Sequence, residues 1–314
     1  MGAARLLRTV ACDAEVGIVR FARDGRMLAG VCRDDKLRVW NCATGALSRT
    51  VTFEKDEFFA GFSTEGDVVA TSRADGTITL RDLETWREKR RIKGPANPRL
   101  RFVTMSPGRN LVAGSGRVEG NSRDELMRLW DGNGDARFAV PAGIGGASAV
   151  AISGDGSLLA GSSYDTDVRI WSTRNGELVH LVDDLPMSMF AVAFTPDSRF
   201  LAAAGVDRTV YFWDTKSWKP ARKLSGQPEM IRSLAFSPDG RLLATGGESD
   251  IAVTHPVSVL VWDVRAGKII ASNPSPESVW SVGFSGDGNL LAASAGKSVL
   301  IWEMHQGTLA SPHA

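Results

Sequence analysis

One pattern recurs seven times along the chain and limits what it can fold into. An apolar stretch ending in Phe or a substitute is followed by a turn, a second apolar stretch, another turn, and a third stretch that ends near Trp. The first turns read ARDG (22–25), STEG (63–66), SPGR (106–109), SGDG (153–156), TPDS (195–198), SPDG (237–240) and SGDG (285–288). Pro, Asp and Gly there supply the dihedrals of a tight antiparallel hairpin. The third stretches end VWN (39–41), LRD (80–82), LWD (129–131), IWS (170–172), FWD (212–214), VWD (261–263) and IWE (301–303). The marker residue therefore falls at 40, 81, 130, 171, 213, 262 and 302, at intervals of 41, 49, 41, 42, 49 and 40. Within the stretches apolar residues alternate with period two, as in Leu37-Arg38-Val39-Trp40 and Val168-Arg169-Ile170-Trp171. Turns cut them every few residues, so the pattern excludes helices and predicts short strands.

Composition agrees with a folded all-β chain of 314 residues. Apolar residues make up 43% and charged residues 23%, with a net charge of only +1. That balance excludes disorder and disfavours a protein held on nucleic acid by its overall field. No run of eighteen apolar residues is present, so no transmembrane helix is expected. Arg8 interrupts the first apolar residues before a signal peptide could build, which leads us to expect a cytoplasmic location. Cys12, Cys32 and Cys42 are too few for a disulfide framework and read as small packing residues in a reducing compartment.

A repeat of about 40–45 residues made of short strands is the sign of a propeller blade, each blade a four-stranded antiparallel sheet. With its SPDG-type hairpins and Trp-Asp endings, the chain resembles the WD-repeat seven-bladed β-propeller family over about residues 5–304. The resemblance implies one propeller domain, 1–314, expected to be monomeric. The chain also departs from the family. No Gly-His dipeptide precedes a repeat, so the family's His-centred hydrogen-bond network is expected to be missing. Blade two has Arg81 at the Trp position. The family's aspartate, six residues before the Trp, is matched by Asp34, Asp75, Asp124, Asp165 and Asp207, which read as turn-holding residues.

After Trp302 little strand-forming sequence remains, whereas Leu6-Leu7-Arg8-Thr9-Val10 is a spare strand before the first repeat. It is expected to close blade seven as its outer strand, removing two open sheet edges. The two long intervals place insertions at about 116–126 and 248–258, between second and third strands. Five residues past the marker, blades two and five carry Trp86 and Trp218 where four others carry Gly45, Gly176, Gly267 and Gly307.

No local motif points to catalysis. The four histidines lie at no metal-ligand spacing, and neither a nucleophile elbow nor a phosphate loop is present. No cofactor and no metal is expected. The resemblance instead implies a non-enzymatic protein-protein interaction scaffold that binds a partner protein or peptide on the top face. Three positions per blade project there: the two neighbours of the first apolar residue in the first strand, and the residue before the hairpin Asp. Carried over, they give Glu15 and Arg33 in blade one and Phe58 in blade two. Blade three gives Arg99 and Arg101, blade four Tyr164, blade five Phe190, blade six Met230 and Arg232, and blade seven Trp280. Trp, Tyr and Arg are the types that most often anchor interfaces, and the set suits an acidic segment with bulky apolar anchors. Two alternatives stand beside it. One is a propeller enzyme or small-molecule binder using the central channel. The other is a nucleic-acid-associated propeller using residues 87–101, where Arg87, Lys89, Arg90, Arg91 and Lys93 form a basic outer strand.

Overall fold

A computed structural model describes residues 4–63, 66–94, 99–106, 111–117, 126–248 and 257–305, without the side chains of residues 99, 101, 102 and 117. Among the described residues there is no helix, and twenty-eight strands make seven successive four-stranded antiparallel runs. The all-β fold read from the repeat is thus present. The chain divides into two compact units, 1–51 with 227–314, and 52–226.

The first unit holds three four-stranded sheets. Two run through residues 16–52 and 230–275. The third combines Val282–Phe284, Leu290–Ala295 and Ser298–Met304 with the N-terminal strand Ala4–Ala11 on its outer edge. That strand pairs antiparallel with the last one, from Ala4↔Met304 to Ala11↔Ser298, and Arg5 adds an ion pair to Glu303 at 2.6 Å. The expected closure of the last blade by the spare strand is therefore what the chain does.

The second unit holds four runs, through residues 57–93, 99–141, 147–182 and 189–225. The first two are joined into one eight-stranded sheet by parallel pairing of Gly61, Phe62 and Ser63 with Val103, Thr104 and Met105. Gly61 is required there. A Cβ on it would lie 1.8 Å from the Val103 carbonyl oxygen.

The marker residues explain the core. Trp40, Trp130, Trp171, Trp213, Trp262 and Trp302 are all buried, and each faces an apolar residue of its second strand, as in Leu28↔Trp40 and Leu243↔Trp262. Burying one such aromatic contributes roughly 2–3 kcal/mol, so the repeat interval is an interval of core contacts.

The hairpins repeat one device. In the SPDG turn the Ser237 hydroxyl donates to Asp239 Oδ1 (2.6 Å) and accepts from the Leu242 amide (2.9 Å), and the Arg241 amide donates to Asp239 Oδ1 (3.0 Å). Gly240 sits at φ 70°, a left-handed conformation that glycine takes without steric cost. At the position five past the marker, Gly45, Gly176 and Gly267 also have positive φ, and so do Trp86 (60°) and Trp218 (55°). The tryptophans keep the turn because their rings find partners. Trp218 stacks on His180 (5.1 Å, 12°), and Trp86 lies against Phe53 (6.4 Å). Gly307 and most of both insertions (118–125 of 116–126, and 249–256 of 248–258) lie outside the described residues, and the remaining insertion residues lie in the flanking strands. The strands on either side of the insertions, ending at Arg117 and Glu248 and resuming at Leu126 and Val257, are second and third strands as expected.

The missing Gly-His dipeptides do not leave every marker Trp without a side-chain network. A side-chain network on the marker Trp does form in the sixth run, with glutamine at its centre instead of histidine. Trp262 Nε1 donates to Thr245 Oγ1 (3.0 Å), whose hydroxyl donates to Gln227 Oε1 (2.6 Å). The Gln227 amide then donates to Glu229 Oε2 (2.8 Å) and the Ser258 carbonyl (3.1 Å). A side-chain amide both donates and accepts, so it does the work expected of an imidazole there.

Candidate interaction surface

The aspartates six residues before the marker act within their own blades. Arg38 donates from both terminal nitrogens to Asp34 (2.9 and 2.7 Å). This bidentate pair holds the Asp34 carboxyl below its ordinary range and the Arg38 guanidinium above its own. Asp165 accepts from Arg169 (3.1 Å), from the Ile144 amide (3.1 Å) and from the Asp167 amide (3.2 Å). Burial opposes its ionisation, yet these donors win and its carboxyl is held low. Asp207 accepts from the Tyr211 hydroxyl at 2.6 Å. Burial, and then this carboxylate, push the phenol up to about 12. Asp75 caps the Thr77 amide (2.9 Å), and Asp124 lies outside the described residues. In three blades the aspartate is thus satisfied by the side chain four residues on, as its turn-holding reading required.

Arg81 shows a different kind of substitution. Its guanidinium pairs with the buried carboxylate of Glu57 at 3.2 Å, with side-chain exposures of 13% and 3%. The Thr71 hydroxyl also donates to Glu57 Oε1. Glu57 is a buried residue at the start of its first strand, where the other runs have Val16, Leu100, Ala147, Met189 and Ile231 in their first strands and Val279 just before its own. The loss of the marker Trp is therefore matched by a second polar replacement in the same blade. Burial opposes ionisation of Glu57, and the bonds from Thr71, the Glu54 backbone and Arg81 outweigh it, so the carboxyl lies below its ordinary value.

In the first unit, Trp280 gathers charged neighbours. The ring is half-buried, and its backbone amide donates to Ser294 Oγ (3.1 Å). The guanidiniums of Arg33 and Arg232 lie 5.7 and 5.4 Å from the ring centroid, within cation–π range. Arg33 pairs with Glu15 at 2.8 Å, and Arg232 pairs with Glu248. Sequence positions 15, 33, 232 and 280, assigned to one face, are thereby in one cluster. Met230 is half-buried beside it, in register with Glu248.

In the second unit, Tyr164 is 60% exposed and meets Phe190 edge-on, with centroids 6.2 Å apart. The Ser188 hydroxyl donates to the Tyr164 carbonyl (3.1 Å), and a Cβ on Gly145 would lie 3.2 Å from the Tyr164 ring. The chain neighbours of those two contacts are Ile144 and Met187, exposed by 68% and 47%. Sequence reasoning did not reach Ile144 and Met187, because loop residues have no fixed spacing from the marker. Phe58 is half-buried and in register with Ser72. Arg99 and Arg101 lie on the strand Arg99–Met105, but their side chains are outside the described residues.

The basic outer strand is partly neutralised at home. Lys89 pairs with Asp82 at 2.9 Å and Arg91 with Glu88 at 2.6 Å. Among the described residues no cluster of His, Cys, Asp and Glu is arranged to hold a metal ion.

Comparison with known proteins follows the same architecture. Residues 143–172, 186–214, 218–253 and 267–303 match the profile of WD40, described as WD domain, G-beta repeat. The chain therefore carries WD40 repeats. It is 30% identical over 168 residues to telomerase protein component 1 of Mus musculus, covering 52% of this chain and 6% of that protein. The Rattus norvegicus counterpart is 30% identical over 151 residues, 48% of this chain and 5% of that protein. WD repeat-containing protein SL1-17 of Schistosoma mansoni is 30% identical over 161 residues, 49% of this chain and 50% of that protein. The matches thus span half or less of each relative's length.

Proposed function

For a chain built from WD40 repeats, we propose a non-enzymatic scaffold that holds a partner protein or peptide on the face where its first strands begin. The observation that carries this reading is the Tyr164 ring, 60% exposed and edge-on to Phe190, with exposed Ile144 and Met187 one residue in sequence from the Gly145 and Ser188 that neighbour it. Exposed apolar side chains of this size cost free energy in water, and where they gather they mark interaction sites. In the first unit, Trp280 with Arg33 and Arg232 adds the residue types that anchor interfaces. An acidic partner segment would compete there with Glu15 and Glu248 for the two guanidiniums. Phe58, Met230, Arg99 and Arg101 belong to the same proposed set. The mouse and rat relatives are named as protein components of telomerase, which supports a role as one component of a larger assembly. We place it in the cytoplasm.

The test compares native-cell co-purification of the parent chain with two folded variants, Tyr164→Ser/Phe190→Ala and Trp280→Ala. Truncating an anchor that contributes about 2 kcal/mol weakens binding roughly 30-fold, so the partner should be lost from at least one variant. Unchanged partner lists and amounts in both variants would refute the proposed face. The competing reading, nucleic acid on residues 87–101, would show RNA or DNA binding that collapses with added salt. Two of the five cations at 87–93 are already paired within the blade, which weakens this reading.

A further inference from the structure

We propose that Cys12 and Cys32 form a thiol pair that a low-molecular-weight disulfide, such as glutathione disulfide, converts to an intramolecular disulfide. Their sulfurs lie 3.5 Å apart, close enough to bond after small side-chain rotations. All three cysteines of the chain are unpaired thiols, but only Cys12 is partly exposed; Cys32 and Cys42 are buried. Cys12 also lines a cavity of about 300 Å³, together with Arg8, Asp13, Arg38, Trp40 and Thr44. An entering reagent thus meets Cys12 first and finds Cys32 directly behind it.

The reaction balances in two exchanges. The Cys12 thiolate attacks one sulfur of glutathione disulfide, forming a mixed disulfide and releasing one glutathione thiolate. The Cys32 thiolate then attacks the Cys12 sulfur and releases the second glutathione. The two cysteine protons leave with the two glutathiones, and the two electrons lost by the protein reduce the reagent. Burial pushes the Cys32 thiol up to about 12, with Arg38 acting in the opposite direction, so the second exchange is the slow one.

The position of the pair gives the bond its consequence. Cys12 directly follows Ala4–Ala11, the strand that completes the last sheet, and its amide donates to the Lys297 carbonyl (2.8 Å). Cys32 ends the strand Met27–Cys32 of the first sheet. The disulfide would tie the closing strand covalently to the neighbouring sheet through a loop 20 residues apart in sequence. A loop of that size corresponds to a rise in thermal midpoint of about 3–6 °C for a chain this long.

The experiment titrates the full-length chain through glutathione redox buffers, followed by acid quench and intact mass measurement. The expected product has lost the mass of two hydrogens and yields one cross-linked peptide joining Cys12 to Cys32, while Cys42 remains alkylatable. Cys32→Ser should stop at a glutathione adduct on Cys12, and Cys42→Ser should behave like the parent. The oxidised parent should melt higher than the reduced one by the amount above. A parent chain that stops at the Cys12 adduct, that pairs Cys42, or that resists every buffer ratio would overturn the proposal. These outcomes are read on the parent itself, so poor folding of a variant does not blur them.

Discussion

Replacing Glu57 and Arg81 singly and together should give a strongly non-additive stability cycle. The pair is nearly dry, with the carboxylate 3% and the guanidinium 13% exposed, 3.2 Å apart. Two unit charges at about 4 Å attract by ~4 kcal/mol at an effective dielectric of about 20, a gross figure that desolvation largely offsets. Glu57→Leu removes the carboxylate and strands the Arg81 charge, at a cost of about 3–5 kcal/mol. Arg81→Trp strands the carboxylate, which keeps only the Thr71 hydroxyl and the Glu54 backbone as donors, at a similar cost. The double variant restores the residue types of the other blades, an apolar residue early in the first strand together with a marker Trp, and should lie within about 2 kcal/mol of the parent. The coupling is then at least about 4 kcal/mol, measured by urea unfolding of all four proteins.

The pH dependence separates charge from packing. In the parent the folded carboxyl lies below its ordinary value. Its contribution is therefore present above the ordinary carboxylate pKa and is lost as pH falls through the folded value. In Arg81→Trp the same carboxyl is buried without its cation and should be raised, so that variant loses stability as pH rises from 5 to 7. The double variant should show neither slope at this site. Free-energy changes that add within about 0.5 kcal/mol, or slopes of the same sign in parent and Arg81→Trp, would refute the reasoning.

Three further outcomes follow from the geometry. Trp218→Gly should be more stable than Trp218→Ala by about 1 kcal/mol in denaturant titrations, because both lose the His180 stack but only glycine relaxes at φ 55°. Gly30→Ala should lower stability by about 2 kcal/mol or more, since its Cβ would lie 2.6 Å from the Trp40 ring; a thermal midpoint equal to the parent's would show that the ring moves aside freely. Deleting residues 1–12 removes seven register pairs from the last sheet and bares the edge of Ser298–Met304. It should cost far more than a frayed terminus, with a lower midpoint and concentration-dependent aggregation by light scattering.

The fold was legible because every repeat restates the same constraints. A buried Trp at six of the seven markers, a polar hairpin two strands earlier and period-two alternation between them leave one local solution. The closing strand was equally legible, as the only strand-like segment without a repeat of its own. The Gln227 network has no Gly-His dipeptide to announce it, because the chemistry needs only a group that both accepts from Thr245 and donates onward. Glu57 does carry a sequence signal. It is the sole charged residue among the seven equivalent first-strand positions, in the same blade that lacks Trp. At the candidate surface, Arg33, Arg232 and Trp280 were placed on one face by their offset from the repeat, and they do meet. Ile144 and Met187 sit in connecting loops, whose conformation the repeat does not dictate.

Seven copies of one blade also give a way to sort structural from functional departures. Where two positions of a blade depart together and their side chains satisfy each other, as Arg81 and Glu57 do, the change is explained within the blade. Trp86 and Trp218 belong to the same class, because each ring finds a neighbour that offsets a strained turn. Tyr164 is different. Its ring stays mostly in solvent although one edge meets Phe190, and exposed Ile144 and Met187 lie one residue in sequence from the Gly145 and Ser188 that contact it. A feature that the fold neither needs nor hides is the one for which an external partner is the economical physical account.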